Sequence, residues 1–141
     1  MSRAAIVLDA NILIRAVLGR RVRELIEAHA GAVKFFAPDV AYADARTYLP
    51  ALLEKRGVSP QTAMQVLDAL EHIVHPVDRE VYGGLQAQAL RRIEMRDADD
   101  WPVLACAMVL DCPMWTEDAD FFGTGVATWT TDRIALYLAD A

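Results

Sequence analysis

Short apolar runs alternate along this chain with longer stretches of helical periodicity, and that alternation limits the folds available to it. The first run, Ala4–Leu8, contains only apolar residues, which is typical of a strand buried on both faces. Similar short runs follow at 33–37, 113–116 and 126–129. Strands separated by helices predict an α/β fold, in which helices cover both faces of a mainly parallel sheet of four to five short strands.

Prolines and their neighbours set several of the predicted helix boundaries. Pro50 is expected to kink or break a helical pattern that extends from 39 to 56, because proline lacks the amide donor that an interior turn uses. Ser59-Pro60 is a favourable helix start. His75-Pro76 is expected to break the chain before a further helix that Asp78 would cap.

The length and composition indicate one domain that spans residues 1–141. Apolar residues make up 55% of the 141 residues, which is enough for a core. No run approaches the roughly 18 apolar residues of a membrane helix, and Met1–Ile6 lacks the apolar stretch of a signal peptide, so we expect a cytoplasmic protein. Two cysteines, Cys106 and Cys112, do not support a disulfide framework or a zinc site.

Acidic residues gather where the predicted strands end, which is the edge at which parallel sheets bind ligands. Asp44 could join them from the helix that follows the second run. Several of the acids also have a simpler interpretation: Asp97 and Asp99 could be caps, because an Asp at the start of a helix usually is one, and Asp9 could be an ordinary loop residue. The acids at the predicted edge form three groups that are distant in the chain: Asp9; Asp97, Asp99 and Asp100; and Asp118 with Asp120.

Carboxylates that converge in this way repel one another and raise each other's pKa unless a cation lies between them. Mg²⁺ prefers oxygen ligands of this kind and often binds substrate phosphates as well. Such a site can polarise a phosphoryl oxygen and activate water, so the pattern predicts hydrolysis of a phosphodiester. Asn11 and Thr116 are expected to orient the carboxylates through hydrogen bonds.

The net charge argues against a broad electrostatic surface for nucleic acid. There are 20 acidic and 14 basic side chains, which gives a formal charge of −6. Arginines nevertheless lie on segments near Asp9 and Asp44, where they could meet RNA phosphates or could simply form solvated helix faces. These arginines are Arg15, Arg20, Arg21, Arg23 and Arg46, of which Arg15 and Arg46 are the candidates for RNA binding.

Four motifs follow one another along the chain. The first is Val7-Leu8-Asp9-Ala10-Asn11-Ile12-Leu13. The others are an acid in the next long helix, Asp100 seven residues before Ala107, and Thr116-x-Asp118-x-Asp120-Phe121. This ordered set resembles the PIN domain, and within it the VapC-like ribonuclease toxins of bacterial type II toxin–antitoxin systems. The likeness extends over essentially the whole chain.

The resemblance implies a three-layer α/β/α fold and an endoribonuclease activity that depends on Mg²⁺ or Mn²⁺. Asp9, Asp44, Asp100 and Asp118 match the four acids of the family, which hold the metal and carry catalysis. Asp120 matches an additional outer ligand, and Asn11 and Thr116 match the supporting polar positions. Asp44 is one methylene shorter than the Glu that the family more often has there. A homodimer and a cognate antitoxin are also implied.

Other functions remain open or fall away on particular residues. A phosphotransfer receiver domain would need a lysine after a late strand, where neither Lys34 nor Lys55 lies, and a haloacid-dehalogenase-type phosphatase would need a second Asp where Asn11 lies. Two alternatives survive: a catalytically weak PIN-like module that binds a protein partner, and a nuclease that processes RNA without any antitoxin.

Overall fold

The computed structural model describes residues 4–140. Met1–Arg3, on which part of the signal-peptide expectation rests, lie outside the described residues. None of the helices in the described range is both long and apolar enough to span a membrane.

Strands and helices alternate along this range much as the apolar runs predict. The strands are β1 (Ala4–Leu8), β2 (Val33–Pro38), β3 (Val74–Val77), β4 (Met114–Trp115) and β5 (Thr128–Trp129). The α-helices are α1 (Ala10–Leu18), α2 (Arg21–His29), α3 (Asp39–Lys55), α4 (Pro60–Leu70), α5 (Arg79–Tyr82), α6 (Gln86–Ile93), α7 (Trp101–Leu110) and α8 (Ile134–Ala139). Short 3-10 turns precede α6 and α7 and follow β4.

All five strands pair in parallel, in the order β3-β2-β1-β4-β5. The chain therefore builds outward from β1 to β2 and β3, then returns to add β4 and β5 on the other side. This reversal makes the boundary between β1 and β4 a topological switch point, where the connections after the two strands diverge and leave a crevice. The predicted α/β fold class with a parallel, helix-covered sheet is confirmed.

The apolar run of β1 is buried because both faces of the sheet are covered. Ile6 and Leu8 pack into the core formed with α1 to α4 and α8, whereas Val7 packs into the core formed with α5 to α7. All three side chains are fully buried. Successive strand residues point to opposite faces, so a uniformly apolar strand is the expected solution for a sheet between two helical layers.

Two expected breaks at prolines are absent, each for a tertiary reason. His75-Pro76 does not break the chain but lies within β3, an edge strand, where half of the amide donors are unpaired and a proline is tolerated. Pro50 does not break α3, which continues to Lys55. Leu49 and Leu53 are buried on either side of Pro50, and their packing holds the helix together across the missing hydrogen bond.

Candidate active site

Asp9 lies at the switch point, between the end of β1 and the start of α1. Its Oδ1 accepts a hydrogen bond of 3.0 Å from the amide of Ile12, so it caps α1. The side chain is only 7% exposed. The helix cap and the buried position hold one carboxylate in a fixed orientation, with its second oxygen free to meet groups from β4.

Thr116, which directly follows β4, connects Asp9 to the acidic loop beyond it, which carries Asp118 and Asp120. Its hydroxyl donates to Asp9 Oδ2 at 2.5 Å and accepts from the amide of Asp118 at 3.0 Å. Burial raises the pKa of Asp9 against the opposing effect of the hydrogen bonds from Thr116 and Ile12, and the charge of Asp118 adds to the increase. Thr116 therefore both orients the carboxylate and favours its charged form.

A cleft of about 170 Å³ opens above these residues and brings together acids from distant parts of the chain. Asp9, Asp44, Asp100 and Asp118 all line it, together with Asn11. Tyr48 and Asp99 line it too. Five carboxylates and the side-chain amide of Asn11 thus surround one small space with oxygen-rich groups.

Asp100 has a buried carboxylate oxygen, Oδ2, that the described part of the chain leaves without a hydrogen-bond donor. Burial, as the largest cause, and the negative charges of Asp97, Asp118, Asp9 and Asp120, in that order of size, together raise the pKa of Asp100 to about 7. A buried carboxylate oxygen without a donor is costly, and a cation is the usual partner of such a group.

Asp97 and Asp120 approach Asp100 closely. One carboxylate oxygen from each of the three residues lies within 4.8 Å of the other two, an arrangement that could hold a metal ion. The 3-10 turn before α7 places Asp97 and Asp100 side by side, because residues three apart eclipse in a 3-10 helix. Asp97 also caps this turn by accepting from the amide of Asp99 at 3.0 Å.

Sequence reasoning placed Asp97 among the acids that could converge but favoured a helix cap for it, and so did not name it as a metal ligand beside Asp100 and Asp120. The spacing of three residues between Asp97 and Asp100, immediately before an apolar helix that begins with Trp101-Pro102, was the signal available for it. Oxygen ligands and an unpartnered carboxylate fit a hard divalent cation such as Mg²⁺ or Mn²⁺.

Asp44 and Asn11 reach the cleft from exposed positions. Asp44 lies on α3 with Val40 and Tyr48, one turn away on either side, also facing the cleft. An aspartate inside a helix needs a partner or a metal only if its face of the helix turns inward. The side chain of Asp44 is instead exposed at the rim, so its charge is hydrated without one.

The two arginines proposed for RNA binding differ in their surroundings. Arg46 is held by ion pairs to Asp68 at 2.9 Å and Glu71 at 2.7 Å, so a phosphate would have to displace both. Arg15 is 53% exposed and makes a single longer contact, 3.8 Å, with Glu117. Arg15 is therefore the more available of the two.

A larger cavity, of about 620 Å³, lies at the opposite edge of the sheet. Cys112, Pro113, Gly125 and Val126 line it, and they precede β4 and β5. Asp111 is its one acidic lining residue. Ligands of parallel sheets bind at the carboxyl ends of the strands, and the acids converge there, so the smaller cleft is the candidate active site.

Comparison with known proteins gives one family and a set of similar folds. A family model described as the PIN domain matches residues 7–139. A search of curated proteins by sequence gives no match. The similar solved structures include one described as a toxin–antitoxin complex and one bound to a DNA fragment.

Three of these structures illustrate the likeness. The crystal structure of VapBC2 from Rickettsia felis, bound to a DNA fragment from its promoter, matches with a TM-score of 0.62 and 14% identity over 89% of this chain and 98% of that chain. A toxin–antitoxin complex from Klebsiella pneumoniae matches with a TM-score of 0.62 and 16% identity, over 89% of this chain and 97% of that chain. FitAcB from Neisseria gonorrhoeae matches with a TM-score of 0.60 and 21% identity, over 89% of this chain and 97% of that chain. At these identities the likeness establishes a shared fold.

Proposed function

Since this chain belongs to the PIN domain family, we propose that it is a metal-dependent endoribonuclease that hydrolyses RNA phosphodiester bonds with Mg²⁺ or Mn²⁺. We further propose that it is the toxin of a toxin–antitoxin pair. The similar folds named VapBC2 and FitAcB, together with the complex from Klebsiella pneumoniae described as toxin–antitoxin, support this second part.

The observation that carries the proposal is the unpartnered Oδ2 of Asp100 in the middle of the acidic cluster. Asp9 and Asp118 line the same cleft as Asp100, and Asp97 and Asp120 approach Asp100 closely enough to share an ion with it. Without a cation this arrangement raises the pKa of Asp100 to about 7 and destabilises the charged cluster. With a cation, the same carboxylates become its ligands and their repulsion is offset.

We propose Asp9, Asp44, Asp100 and Asp118 as the metal-holding and catalytic residues, with Asp120 as an additional ligand. When bound, the divalent cation supplies Lewis-acid polarisation of the phosphoryl oxygen and activation of water.

The supporting roles fall to polar neighbours of these carboxylates. Thr116 fixes the orientation of Asp9 by its hydrogen bond and ties the amide of Asp118 to the same hydroxyl. Asp118 in turn accepts from the amide of Asp120 at 2.9 Å, so one chain of hydrogen bonds runs from β1 into the acidic loop. The side-chain amide of Asn11 lies at the rim, where it can donate to a substrate oxygen.

The test of the enzymatic part is cleavage of a mixed RNA with Mg²⁺ or Mn²⁺. We expect EDTA and the variants Asp9→Asn and Asp100→Asn to abolish cleavage. Asp132→Asn is the matched control, because Asp132 is exposed, lies outside the cleft and loses the same charge. Cleavage that survives EDTA and both cleft variants would come from a contaminant and would refute the proposal.

Calorimetry with Mn²⁺ separates the enzyme from a catalytically weak binding module. The nuclease proposal requires cation binding that Asp100→Asn removes and Asp132→Asn keeps. A folded wild type that neither binds the cation nor cleaves RNA would favour the protein-binding module instead.

The toxin proposal and the proposed homodimer need their own measurements. Expression of the wild-type chain in bacteria should arrest growth, whereas Asp9→Asn should not, and light scattering should give the mass of two chains. Growth that is unaffected by an RNA-cleaving wild type would instead favour an RNA-processing nuclease without an antitoxin.

A further inference from the structure

A second cleft, of about 340 Å³, lies beside the acidic one and is rich in arginine. We name it the arginine cleft. Its lining residues are Arg15, Leu18, Gly19, Arg20, Arg21, Val22, Arg56 and Thr131. The four arginines come from three elements: Arg15 from α1, Arg20 and Arg21 from the start of α2, and Arg56 from the end of α3. Only the tertiary fold brings them together.

Three of these arginines have no acidic partner. Within residues 4–140, no carboxylate lies within 4.0 Å of Arg20, Arg21 or Arg56. The chain has a formal charge of −6, so acids are plentiful elsewhere on its surface. Cations that gather in one cleft without counter-charges repel one another, and an anionic ligand would remove that repulsion.

The arginine cleft adjoins the acidic cleft along one face of α1. Asn11 lines the acidic cleft and Arg15 lines the arginine cleft, and these two residues are four apart, hence neighbours about 6 Å apart along the helix axis. Glu117 marks the boundary, since it contacts Arg15 at 3.8 Å and accepts from the amide of Thr131 at 2.6 Å. The two clefts are therefore neighbours along α1, close enough for a chain-like ligand to contact both.

We infer that the arginine cleft binds the phosphate backbone of single-stranded RNA next to the phosphodiester that the acidic cleft cleaves. This inference rests on the proposed function and names the element that holds its substrate. The carboxylates repel the phosphates that flank the scissile one, and Arg20, Arg21 and Arg56 offset that repulsion by binding the next part of the strand.

The lining of the arginine cleft also indicates that the cleft does not recognise the bases of the RNA. None of its lining residues is aromatic, so bases find no side chain on which to stack there. Guanidinium groups that contact phosphates position a strand without selecting its sequence. The cleft should therefore raise affinity for RNA of any sequence.

The test compares two double variants that lose the same charge. Arg20→Ala/Arg56→Ala removes arginines from two elements of the cleft, and Arg91→Ala/Arg133→Ala removes two exposed arginines that do not line it. The probe is a fluorescently labelled short single-stranded RNA, whose anisotropy is measured in EDTA so that no cleavage occurs. Both variants are first checked for a native circular dichroism spectrum.

We expect the cleft variant to bind the RNA about tenfold more weakly than the wild type, and the slope of log affinity against log salt to fall by about 1.4, or about 0.7 per lost phosphate contact. The control variant should stay close to the wild type. Equal losses in the two variants, or no loss in the cleft variant, would overturn the inference. A polyglutamate peptide that competes as well as unlabelled RNA would also overturn it, because the cleft would then fit an acidic protein segment.

A second assay keeps failure of this inference distinct from failure of the proposed function. Bis(p-nitrophenyl) phosphate is too short to extend beyond the acidic cleft, so its Mn²⁺-dependent hydrolysis should be the same in the wild type and the cleft variant. Loss of this hydrolysis in the cleft variant would assign the arginines to the acidic site and overturn a separate role. If the wild type hydrolyses no phosphodiester, the proposed function fails, while the anisotropy measurement in EDTA still decides whether the cleft binds RNA.

Discussion

Asp100→Asn should stabilise the metal-free protein and, in the same variant, remove its binding of divalent cations. The two effects have one cause, the concentration of negative charge around Asp100. In the metal-free state this charge costs stability, because burial and the neighbouring carboxylates, Asp97 first, oppose ionisation. In the metal-bound state the same negative charge binds the cation. Asparagine removes the charge but keeps the size of the side chain.

The magnitude follows from the pKa of Asp100. That pKa rises from its ordinary value of 3.8 to about 7 in the folded chain. At about 1.4 kcal/mol for each pH unit, a pKa difference of this size would lower the free energy of unfolding at high pH by about 4 kcal/mol if the carboxylate were fully shielded from water. Asp100 is partly exposed, so water screens the repulsion, and we expect about 2 kcal/mol. For a chain of this length that raises Tm by about 6 °C.

The effect of Asp100→Asn on the free energy of unfolding depends on pH. The folded protein holds a proton on Asp100 at pH values where the unfolded chain has already lost it, so the free energy of unfolding falls as pH rises from about 4 to about 7. The gain from Asp100→Asn should therefore be small near the lower of these values and complete above the higher one.

Thermal unfolding in EDTA across this range, with Asp132→Asn as the control, measures the pH dependence. Saturating Mn²⁺ should then stabilise the wild type by about 2.7 kcal/mol at a hundredfold excess over Kd, and the Asp100→Asn variant far less. A variant that is less stable than the wild type in EDTA at high pH, or that gains as much from Mn²⁺, would refute the reasoning.

Three further substitutions test how the site is held. Thr116→Val keeps the shape of the side chain but removes the donor to Asp9 and should lower both kcat for RNA cleavage and the free energy of unfolding, the latter by about 1–3 kcal/mol. Arg96 Nη1 donates to carbonyls of the loop after β4, and Arg96→Ala removes these hydrogen bonds. This variant should bind Mn²⁺ more weakly in calorimetry, whereas Arg91→Ala on α6 should not. Trp115→Phe leaves a void in the core and removes the 3.1 Å hydrogen bond from its indole nitrogen, which should lower Tm by about 6 °C, or about 2 kcal/mol, in a thermal melt.

Each of these expectations has an outcome that contradicts it. An unchanged kcat in Thr116→Val would mean that the orientation of Asp9 comes from its helix cap alone. Equal Mn²⁺ affinity in Arg96→Ala and Arg91→Ala would mean that the acidic loop needs no support from α6 and the turn beyond it. A Trp115→Phe variant as stable as the wild type would mean that the neighbouring core collapses into the void.

Much of the candidate site could be predicted because it depends on strand ends. Asp9 directly follows one apolar run and Asp118 lies two residues beyond another, and the parallel sheet places the carboxyl ends of β1 and β4 next to each other. The second position of Asp97 could not be predicted from its capping role, since it depends on how the loop that carries Asp120 folds back toward α7. The engagement of Arg46 could not be predicted either, because its acidic partners lie on α4.

The sequence by itself determined the fold class and the acids at the sheet edge, because hydrophobic periodicity and the residues that follow each apolar run depend on neighbouring positions in the chain. The strand order was decided by the tertiary structure, as was the tolerance of Pro76, which depends on β3 being an edge strand. The arginine cleft was decided there as well, since Arg20 and Arg56 meet only when α2 and the end of α3 pack beside α1. The physical reason is that charge and hydrogen-bond partners act over a few ångströms in space, and that distance has no counterpart in position along the chain.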